Sequence, residues 1–406
     1  MRAGRRLVGT GLAMALAALV AAGATTRPLV VLVSIDGFGW DYLDRYAAPA
    51  IAAIARRGAR ADGLIPEFPS KTFPNHYTLV TGLRPARHGI VSNNMRDPVV
   101  PGRFALGELD VISDTRWWGG EPIWITAARQ GVASGTMFWP GSDVEIAGGR
   151  PAYWRPFDDA LPNRARTDQV LQWMALPESE RPRILTLYYS DVDTAGHRHG
   201  PVSREVEQAV AEIDREIAHL VDGIAALGLA GDTNIVLVSD HGMAAVSAHR
   251  RIFLDDYVDM AAVDVIDWTP VLGVAPAAGT VDALHAALAG RHPALKVYRR
   301  ETIPARYGLA GHPRVAPVIG IADEGWTITT RERAGRRPPG FGDHGYDPAV
   351  ARSMHGLFVA AGPGIREGVR VPAFGGIHVY ELLCALVGIT PAPNDGALAA
   401  TANVRR

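Results

Sequence analysis

Cysteine is almost absent from this chain of 406 residues, since Cys384 is the only one. A lone cysteine excludes an internal disulfide, so the fold must be stabilised by its core and by any metal that it binds. The run from Tyr380 to Leu386, which contains Cys384, is mostly apolar. We therefore expect Cys384 to lie on a buried helix face and to have no chemical role.

An excess of charge of either sign is also missing. The chain has 41 Lys and Arg against 42 Asp and Glu, which gives a formal net charge of −1. Proteins that bind polymeric DNA or RNA through its phosphates carry a basic excess, so polymeric nucleic acid is not an expected partner. The composition, 48% hydrophobic and 20% charged, is typical of a globular enzyme with one domain and a large insertion, or with two domains.

The first residues are basic and then apolar. Three arginines precede an apolar stretch at residues 7–22, and a site of small residues ends at Ala24. This pattern predicts a bacterial signal peptide over residues 1–24, cleaved near Ala24, and export to the periplasm or out of the cell. The alternative is a retained membrane anchor, but the stretch is short and is interrupted by Gly and Thr. We therefore expect no stable membrane anchor.

Several short apolar runs stop abruptly at acidic or polar residues. They are Pro28–Ile35, Ile184–Tyr189 and Ile235–Val238, and they are typical of buried parallel strands. Between the second and the third, Val202–Leu227 repeats apolar residues at helical spacing. This alternation predicts an α/β sandwich with a central, mostly parallel sheet between helices. Ligands collect outside the carboxyl ends of such strands, which is where each run meets its acidic residues.

The pattern becomes less regular after the third run. Residues 244–339 contain a helix candidate at Val281–Leu288, a strand candidate at Lys296–Arg299, and many Pro and Gly residues. We interpret 244–339 as an inserted cap subdomain. Residues 25–243 and 340–406 would then form the catalytic core.

Three motifs carry metal-ligating side chains. Asp193 and His197 are four residues apart just past a predicted strand, Asp240 and His241 end another strand, and His344 stands in a Gly-rich turn. Asp and neutral His are good zinc ligands, and a catalytic zinc typically keeps three protein ligands. One motif alone is weak, because Asp193 is equally suited to cap a helix and His344 to be a solvated loop residue. Together they indicate a site formed by Asp193, His197 and His344.

A second site would use Asp36, Asp240 and His241, with its fourth position filled by Thr72. A threonine hydroxyl is a poor nucleophile until it is deprotonated, and coordination to a metal lowers its pKa. The alternative role for Thr72 is that of a helix cap.

The residues around Thr72 resemble a known family. The runs Lys71–His76, Thr81–Pro85 and His88–Met95 are similar to the nucleophile region of the nucleotide pyrophosphatases/phosphodiesterases, in the alkaline phosphatase superfamily. The resemblance spans residues 28–365 and continues through Asp193 and His197, Asp240–Gly242, and Gly342–Asp347.

The resemblance implies an alkaline-phosphatase-like fold and two Zn²⁺ ions per chain. It implies ligands in two sets, Asp36, Thr72, Asp240 and His241 around one zinc and Asp193, His197 and His344 around the other. Thr72 would be the catalytic nucleophile and would form a phosphothreonine intermediate. Asn93, with the backbone N–H of Phe73, would bind a non-bridging oxygen, and Asp191 would be an outer carboxylate that is not a ligand.

The resemblance also implies a small nucleotide as the substrate, cleaved at a phosphodiester or pyrophosphate bond to give a nucleoside monophosphate. Phe73 and Tyr188 flank site residues and are candidates for stacking on the base, although Tyr188 lies in an apolar run and is equally suited to the core. Asn93 is a neutral donor, which favours a singly charged diester. The alternatives are a phosphomonoesterase, a phosphonate-cleaving enzyme or an enzyme acting on phospholipid head groups, and, more distantly, a non-catalytic zinc-binding protein.

Overall fold

The computed structural model describes residues 28–336 and 340–406 of the chain. Its largest sheet has eight strands, numbered here along the chain: β1 Leu29–Ile35, β2 Ala59–Ala61, β3 Ser134–Met137, β4 Tyr153–Arg155, β5 Ile184–Tyr189, β6 Thr233–Val238, β7 Phe358–Ala361 and β8 Val369–Val371. Their order in the sheet is β8-β2-β7-β6-β1-β5-β3-β4. Strand β7 is antiparallel to both of its neighbours and every other pairing is parallel.

Helices cover both faces of this sheet. We number seven of them: α1 Pro49–Arg57, α2 Thr72–Thr81, α3 Ile123–Arg129, α4 Asn163–Met174, α5 Asp191–His199, α6 Arg204–Ala226 and α7 Val379–Val387. Every residue of β1 is buried, because Val30 and Leu32 pack towards α2 and α7 while Val31 and Val33 pack towards α6. The predicted α/β class, with a mostly parallel sheet between helices, is confirmed.

The strand register explains why distant acidic residues meet. Strand β1 lies between β5 and β6, with Ile35 opposite Tyr189 and Ser34 opposite Val238. The three strands therefore end at the same edge of the sheet. The residues that follow them, including Asp36 after β1 and Asp240 after β6, share that edge.

A second sheet lies within the segment between β6 and β7. It is antiparallel and has four strands, in the order Val263–Asp267, Val271–Pro276, Val318–Ala322 and Leu295–Arg299. The helix predicted at Val281–Leu288 has those bounds, and the predicted strand Lys296–Arg299 begins one residue earlier. The cap boundaries at 244 and 339 stay a prediction.

Short paired strands and short α-helices lie between these elements. Paired strands are Leu64–Ile65 with Phe374–Gly375, Asn94–Met95 with Phe104–Ala105, Ala244–Ala245 with Gly342–Asp343, and Arg251–Phe253 with Thr327–Thr329. Short helices are Tyr42–Arg45, Pro85–His88, Leu109–Ile112 and Arg331–Arg336. Cys384 is buried in α7, as expected.

Nothing in residues 28–336 or 340–406 forms a helix with the length and apolar character needed to span a bilayer. The signal peptide predicted at residues 1–24 lies outside the described residues.

The start of α1 depends on a side chain from another helix. Ala48, at its N-cap, offers no capping oxygen, and the buried carboxylate of Asp214 in α6 accepts from the N–H groups of Ala50 and Ile51 at 3.1 and 2.9 Å. These N–H groups have no partner within the helix, and a negative charge is favourable at a helix N-terminus.

We predict that Asp214→Ala lowers the free energy of unfolding by about 1–3 kcal/mol, because the buried N–H of Ile51 and the partly buried N–H of Ala50 lose their acceptor. Urea denaturation measures this loss. The matched control is Asp222→Ala, at an exposed position of the same helix. Equal free energies of unfolding for the two variants would contradict the capping role.

Candidate active site

The shared edge of the sheet gathers two clusters of acidic and histidine side chains. One cluster is Asp36, Asp240 and His241, and the other is Asp193, His197 and His344. Within each cluster, one ligand atom from each residue lies within 4.8 Å of the others. The structure thus brings together the six residues singled out in the sequence, in the same two groups.

The first cluster is almost completely buried. His241 Nε2 lies 3.0 Å from Asp240 Oδ2 and 3.4 Å from Asp36 Oδ1. The pKa of His241 is raised to about 9, since the charges of Asp240, Asp36 and Asp193 outweigh the opposing effect of burial.

The second cluster is more open to solvent and directly adjoins the first. The Nε2 atoms of His197 and His344 lie 3.5 and 3.6 Å from Asp193 Oδ1. The ring of His344 stacks on that of His241, with centroids 3.5 Å apart and planes 15° apart. His197 is the most exposed of the three, with 37% of its side chain accessible.

Backbone carbonyls orient all three imidazole rings. Nδ1 of His197 lies 3.0 Å from the carbonyl of Gly342, Nδ1 of His241 lies 2.9 Å from that of Gly242, and Nδ1 of His344 lies 2.9 Å from that of Ser70. A carbonyl only accepts, so Nδ1 carries the proton. In the neutral ring the lone pair is then on Nε2, which faces the carboxylates as in a metal-ligating histidine.

The carboxylates have oxygens without hydrogen-bond partners. Within the described part of the chain these buried atoms are Asp36 Oδ1, Asp193 Oδ1 and Asp240 Oδ2. Burial and then the charges of Asp240 and Asp193 raise the pKa of Asp36, and burial raises the pKa of Asp193. Buried charges of one sign are costly unless a cation compensates them. Three partnerless oxygens beside three Nε2 atoms therefore fit metal ions.

Thr72 lies beside the first cluster, at the first position of α2. Its Oγ1 is 3.3 Å from His241 Nε2. The chain that leads to it is fixed by Asn75, whose Oδ1 accepts from the N–H of Glu67 at 2.7 Å and whose Nδ2 donates to the Lys71 carbonyl at 3.0 Å. The half-buried Thr72 hydroxyl is thus held at the edge of the clusters.

Asn93 contacts the residue that follows Thr72. The Phe73 N–H donates to Asn93 Oδ1 at 2.9 Å. The role of this N–H as a second donor to substrate stays a prediction, and in this structure the N–H is bonded to Asn93. The amide of Asn93 is oriented by the same bond, so its Nδ2 is the group that remains for an acceptor.

A cavity of about 300 Å³ opens beside Thr72. Six aromatic residues contribute to its wall, Phe73, Trp118, Phe138, Trp139, Phe157 and Tyr188. Both residues named from the sequence thus line it. The phenol of Tyr188 has a further contact, since it donates to Asp36 Oδ2 at 2.7 Å. No sequence pattern indicated Trp118 or Phe157, because their loops approach the cavity only in the folded chain.

His76, for which no sequence pattern indicated a role, lies beside the first cluster. Its Nδ1 lies 2.9 Å from the Thr72 carbonyl and 3.2 Å from Asp240 Oδ2, and its Nε2 lies 2.8 Å from Ser34 Oγ. It follows Thr72 by four residues in α2, so both lie on one face of the helix. The spacing of four residues between Thr72 and His76 is the sequence feature that could have indicated this position.

Asp191, although close in sequence to Asp193, is not part of either cluster. It lies two residues earlier in α5, and its Oδ2 accepts from Asn163 Nδ2 at 2.9 Å. Residues two apart on a helix do not share a face.

The family model described as type I phosphodiesterase / nucleotide pyrophosphatase matches residues 30–347. The chain belongs to this family. The matched range contains every residue of both clusters and Thr72, and the family is part of the alkaline phosphatase superfamily.

Human members of the family are clearly similar to this chain. Ectonucleotide pyrophosphatase/phosphodiesterase family member 1 of Homo sapiens is 38% identical over 387 residues, which are 92% of this chain and 41% of that protein. Family member 5 of Homo sapiens is 36% identical over 368 residues, which are 91% of this chain and 76% of that protein. The chain thus spans less than half of the first relative and about three quarters of the second.

Solved structures of family members share the fold. Murine ectonucleotide pyrophosphatase/phosphodiesterase 5, as an inactive threonine-to-alanine variant in complex with AMP, superposes with a TM-score of 0.89 at 35% identity. The match covers 93% of this chain and 100% of that one. The human counterpart gives the same TM-score at 35% identity.

We predict that the metal-free chain gains thermal stability when Zn²⁺ is added, because a cation compensates the charges of carboxylates whose oxygens lack hydrogen-bond partners. A ligand at 100 times its Kd stabilises by about 2.7 kcal/mol per site. Thermal unfolding with and without Zn²⁺ measures the gain, which should be reduced in Asp193→Asn.

The control is Asp191→Asn, which removes a carboxylate from the same helix and should keep the full gain. If both variants gain as much as the unaltered chain, the second cluster does not bind the ion.

Proposed function

We propose that this family member is a phosphodiesterase that cleaves nucleotides at a phosphodiester or pyrophosphate bond and releases nucleoside monophosphates. The observation that carries the proposal is the position of Thr72 Oγ1, 3.3 Å from His241 Nε2, where the two clusters and the aromatic cavity meet. The AMP complex of the murine relative supports a nucleotide as the ligand.

Two Zn²⁺ ions are the cofactors that the donor set suits. Asp36, Asp240, His241 and Thr72 would hold one ion, and Asp193, His197 and His344 the other. When bound, the ions would lower the pKa of the attacking oxygen and neutralise charge on the phosphoryl group and on the leaving oxygen.

The reaction proceeds in two displacements at phosphorus. Thr72 Oγ forms a bond to phosphorus as the bond to the leaving alcohol or phosphate breaks, which leaves a phosphothreonine that still carries the nucleoside. Water then attacks the same phosphorus, so that the nucleoside monophosphate departs and the Thr72 hydroxyl is restored.

Neighbouring side chains position the groups that take part in these steps. The Tyr188 phenol holds Asp36 through Oδ2 and leaves Oδ1 directed to the cluster. His76 lies beside Asp240, with its Nδ1 3.2 Å from Asp240 Oδ2. Asn93 Nδ2 would donate to a non-bridging oxygen on which charge develops.

The basic side chains in and beside the cavity favour a diester over a monoester as the substrate. Among the described residues that line it, Arg155 is the one with a basic side chain, and its guanidinium donates to Gln169 Oε1 at 2.9 and 2.6 Å. Lys71, next to Thr72, is paired with Asp267 at 2.6 Å. A dianionic monoester would thus gain no free cation from these two side chains.

The aromatic wall supports a nucleotide over a lipid head group. Stacking of a base on aromatic side chains contributes about 1–3 kcal/mol and tolerates any base. Phe73 and Tyr188 are the two rings nearest in sequence to site residues, and both line the cavity.

The proposed location is outside the cytoplasm of a bacterial cell. The proposal rests on the basic, apolar and small-residue pattern of residues 1–24, with cleavage near Ala24. A chain with a single cysteine needs no disulfide formation there.

We predict that Thr72→Ala retains two bound zinc ions but loses turnover of a nitrophenyl nucleotide ester by about 10⁴-fold or more, as when a catalytic nucleophile is removed. Elemental analysis and steady-state rates measure the two properties. Acid quenching followed by mass spectrometry should find the nucleotide attached to the Thr72 peptide of the unaltered chain only.

Thr72→Ser is the matched control, since it keeps a hydroxyl at the same position and should retain part of the turnover. A zinc-loaded Thr72→Ala protein that turns over at the original rate would exclude Thr72 as the nucleophile.

A further inference from the structure

A turn of the second sheet, between the strands Val263–Asp267 and Val271–Pro276, reaches the candidate active site. The buried carboxylate of Asp267 lies at its start. Asp267 Oδ2 accepts from Lys71 Nζ at 2.6 Å and from Ser92 Oγ at 2.5 Å, and Oδ1 accepts from Asn94 Nδ2 at 3.2 Å. The Trp268 N–H also donates to Oδ1, at 3.0 Å.

The partners of Asp267 flank the two residues with proposed catalytic roles. Lys71 directly precedes Thr72, and Ser92 and Asn94 stand on either side of Asn93. The Asp267 carboxylate therefore binds the residue before Thr72 and the residues on both sides of Asn93. Asn93 and α2 are joined a second time by the bond from the Phe73 N–H.

The same turn also packs against the segment that carries His344. Thr269 Oγ1 donates to Asp343 Oδ2 at 3.2 Å. Gly345 has φ +120°, and a Cβ there would lie 2.9 Å from Pro270 Cδ and 3.2 Å from Lys71 Cε. Only glycine permits this close approach of the turn to the ligand segment.

We infer that Asp267 is a positioning residue, which aligns Thr72 with Asn93 through Lys71, Ser92 and Asn94. The inference rests on the proposed function. Asp267 contacts neither cluster in the described part of the chain, so its effect on the reaction is geometric. A displacement of about 1 Å at reacting groups can lower a rate about 10²-fold.

A buried ion pair also stabilises the fold, so the test must separate stability from alignment. The Lys71 and Asp267 side chains are 5% and 10% exposed. A matched pair exists between Arg314 and Asp97, with a distance of 2.6 Å and exposures of 11% and 9%. That pair also joins the segment between β6 and β7 to the core, but it contacts neither Thr72 nor Asn93.

The experiment compares Asp267→Asn with Asp97→Asn in the zinc-loaded chain, on the nitrophenyl ester of thymidine monophosphate. Both oxygens of Asp267 accept hydrogen bonds, so an asparagine at 267 places its amide NH2 against donors in either orientation, and part of the alignment is lost. We expect kcat to fall about 10²-fold with KM and zinc content unchanged, because the cavity and the clusters are intact. Asp97→Asn should lose stability but keep the original kcat.

A double variant tests whether Asp267 acts through Lys71. The combination of Lys71→Met and Asp267→Asn should lower kcat by no more than the stronger single change, because coupled residues are not additive. If the loss of kcat in the double variant equals the sum of the losses in the two single variants, on a free-energy scale, Asp267 does not act through Lys71. If Asp267→Asn does not fold, Ser92→Ala keeps the ion pair and should still lower kcat with KM unchanged.

The inference is overturned if Asp267→Asn keeps the original kcat, or if it and Asp97→Asn lower kcat and zinc content equally. These outcomes are distinct from failure of the proposed function, in which the unaltered zinc-loaded chain does not cleave the ester.

Discussion

Asp36, Asp193 and Asp240 meet at the end of one sheet with an oxygen of each lacking a hydrogen-bond partner, and their mutual repulsion is the constraint on which the remaining site depends. Burial raises the pKa of Asp36 and of Asp193, because it disfavours the charged form of each carboxylate. Parallel strands that end together bring the carboxylates close, and the packed core on both faces prevents them from separating. The fold thus stabilises an arrangement that is favourable once metal binds.

Residues outside the two clusters contact the side chains of the clusters and hold them in place. Backbone carbonyls hold Nδ1 of the three histidines, the Tyr188 phenol holds Asp36, and His76 contacts Asp240. The segment between β6 and β7 takes part in the same way, because Asp267 binds Lys71 beside Thr72. We therefore propose that this segment helps to hold the residues beside Thr72 in place.

Short sequence patterns predicted the features that depend on residues close together in the chain, such as the strands. The run Ile184–Tyr189 became a strand with those bounds, and the acidic residues after the strands meet because parallel strands share an edge. The Asp267 contacts to Lys71 and Ser92 join residues 196 and 175 positions apart, and no spacing indicates them. The contact of Asn93 with the Phe73 N–H was likewise unforeseen, because it depends on how two loops approach each other.

We propose that Thr72, between the two clusters, attacks a singly charged phosphodiester. The most direct measurement compares kcat/KM of the purified, zinc-loaded chain on the nitrophenyl ester of thymidine monophosphate and on nitrophenyl phosphate. We expect a large preference for the diester, since Asn93 is neutral and Lys71 is paired with Asp267. A preference for the monoester would contradict it and would indicate a phosphatase that uses the same clusters.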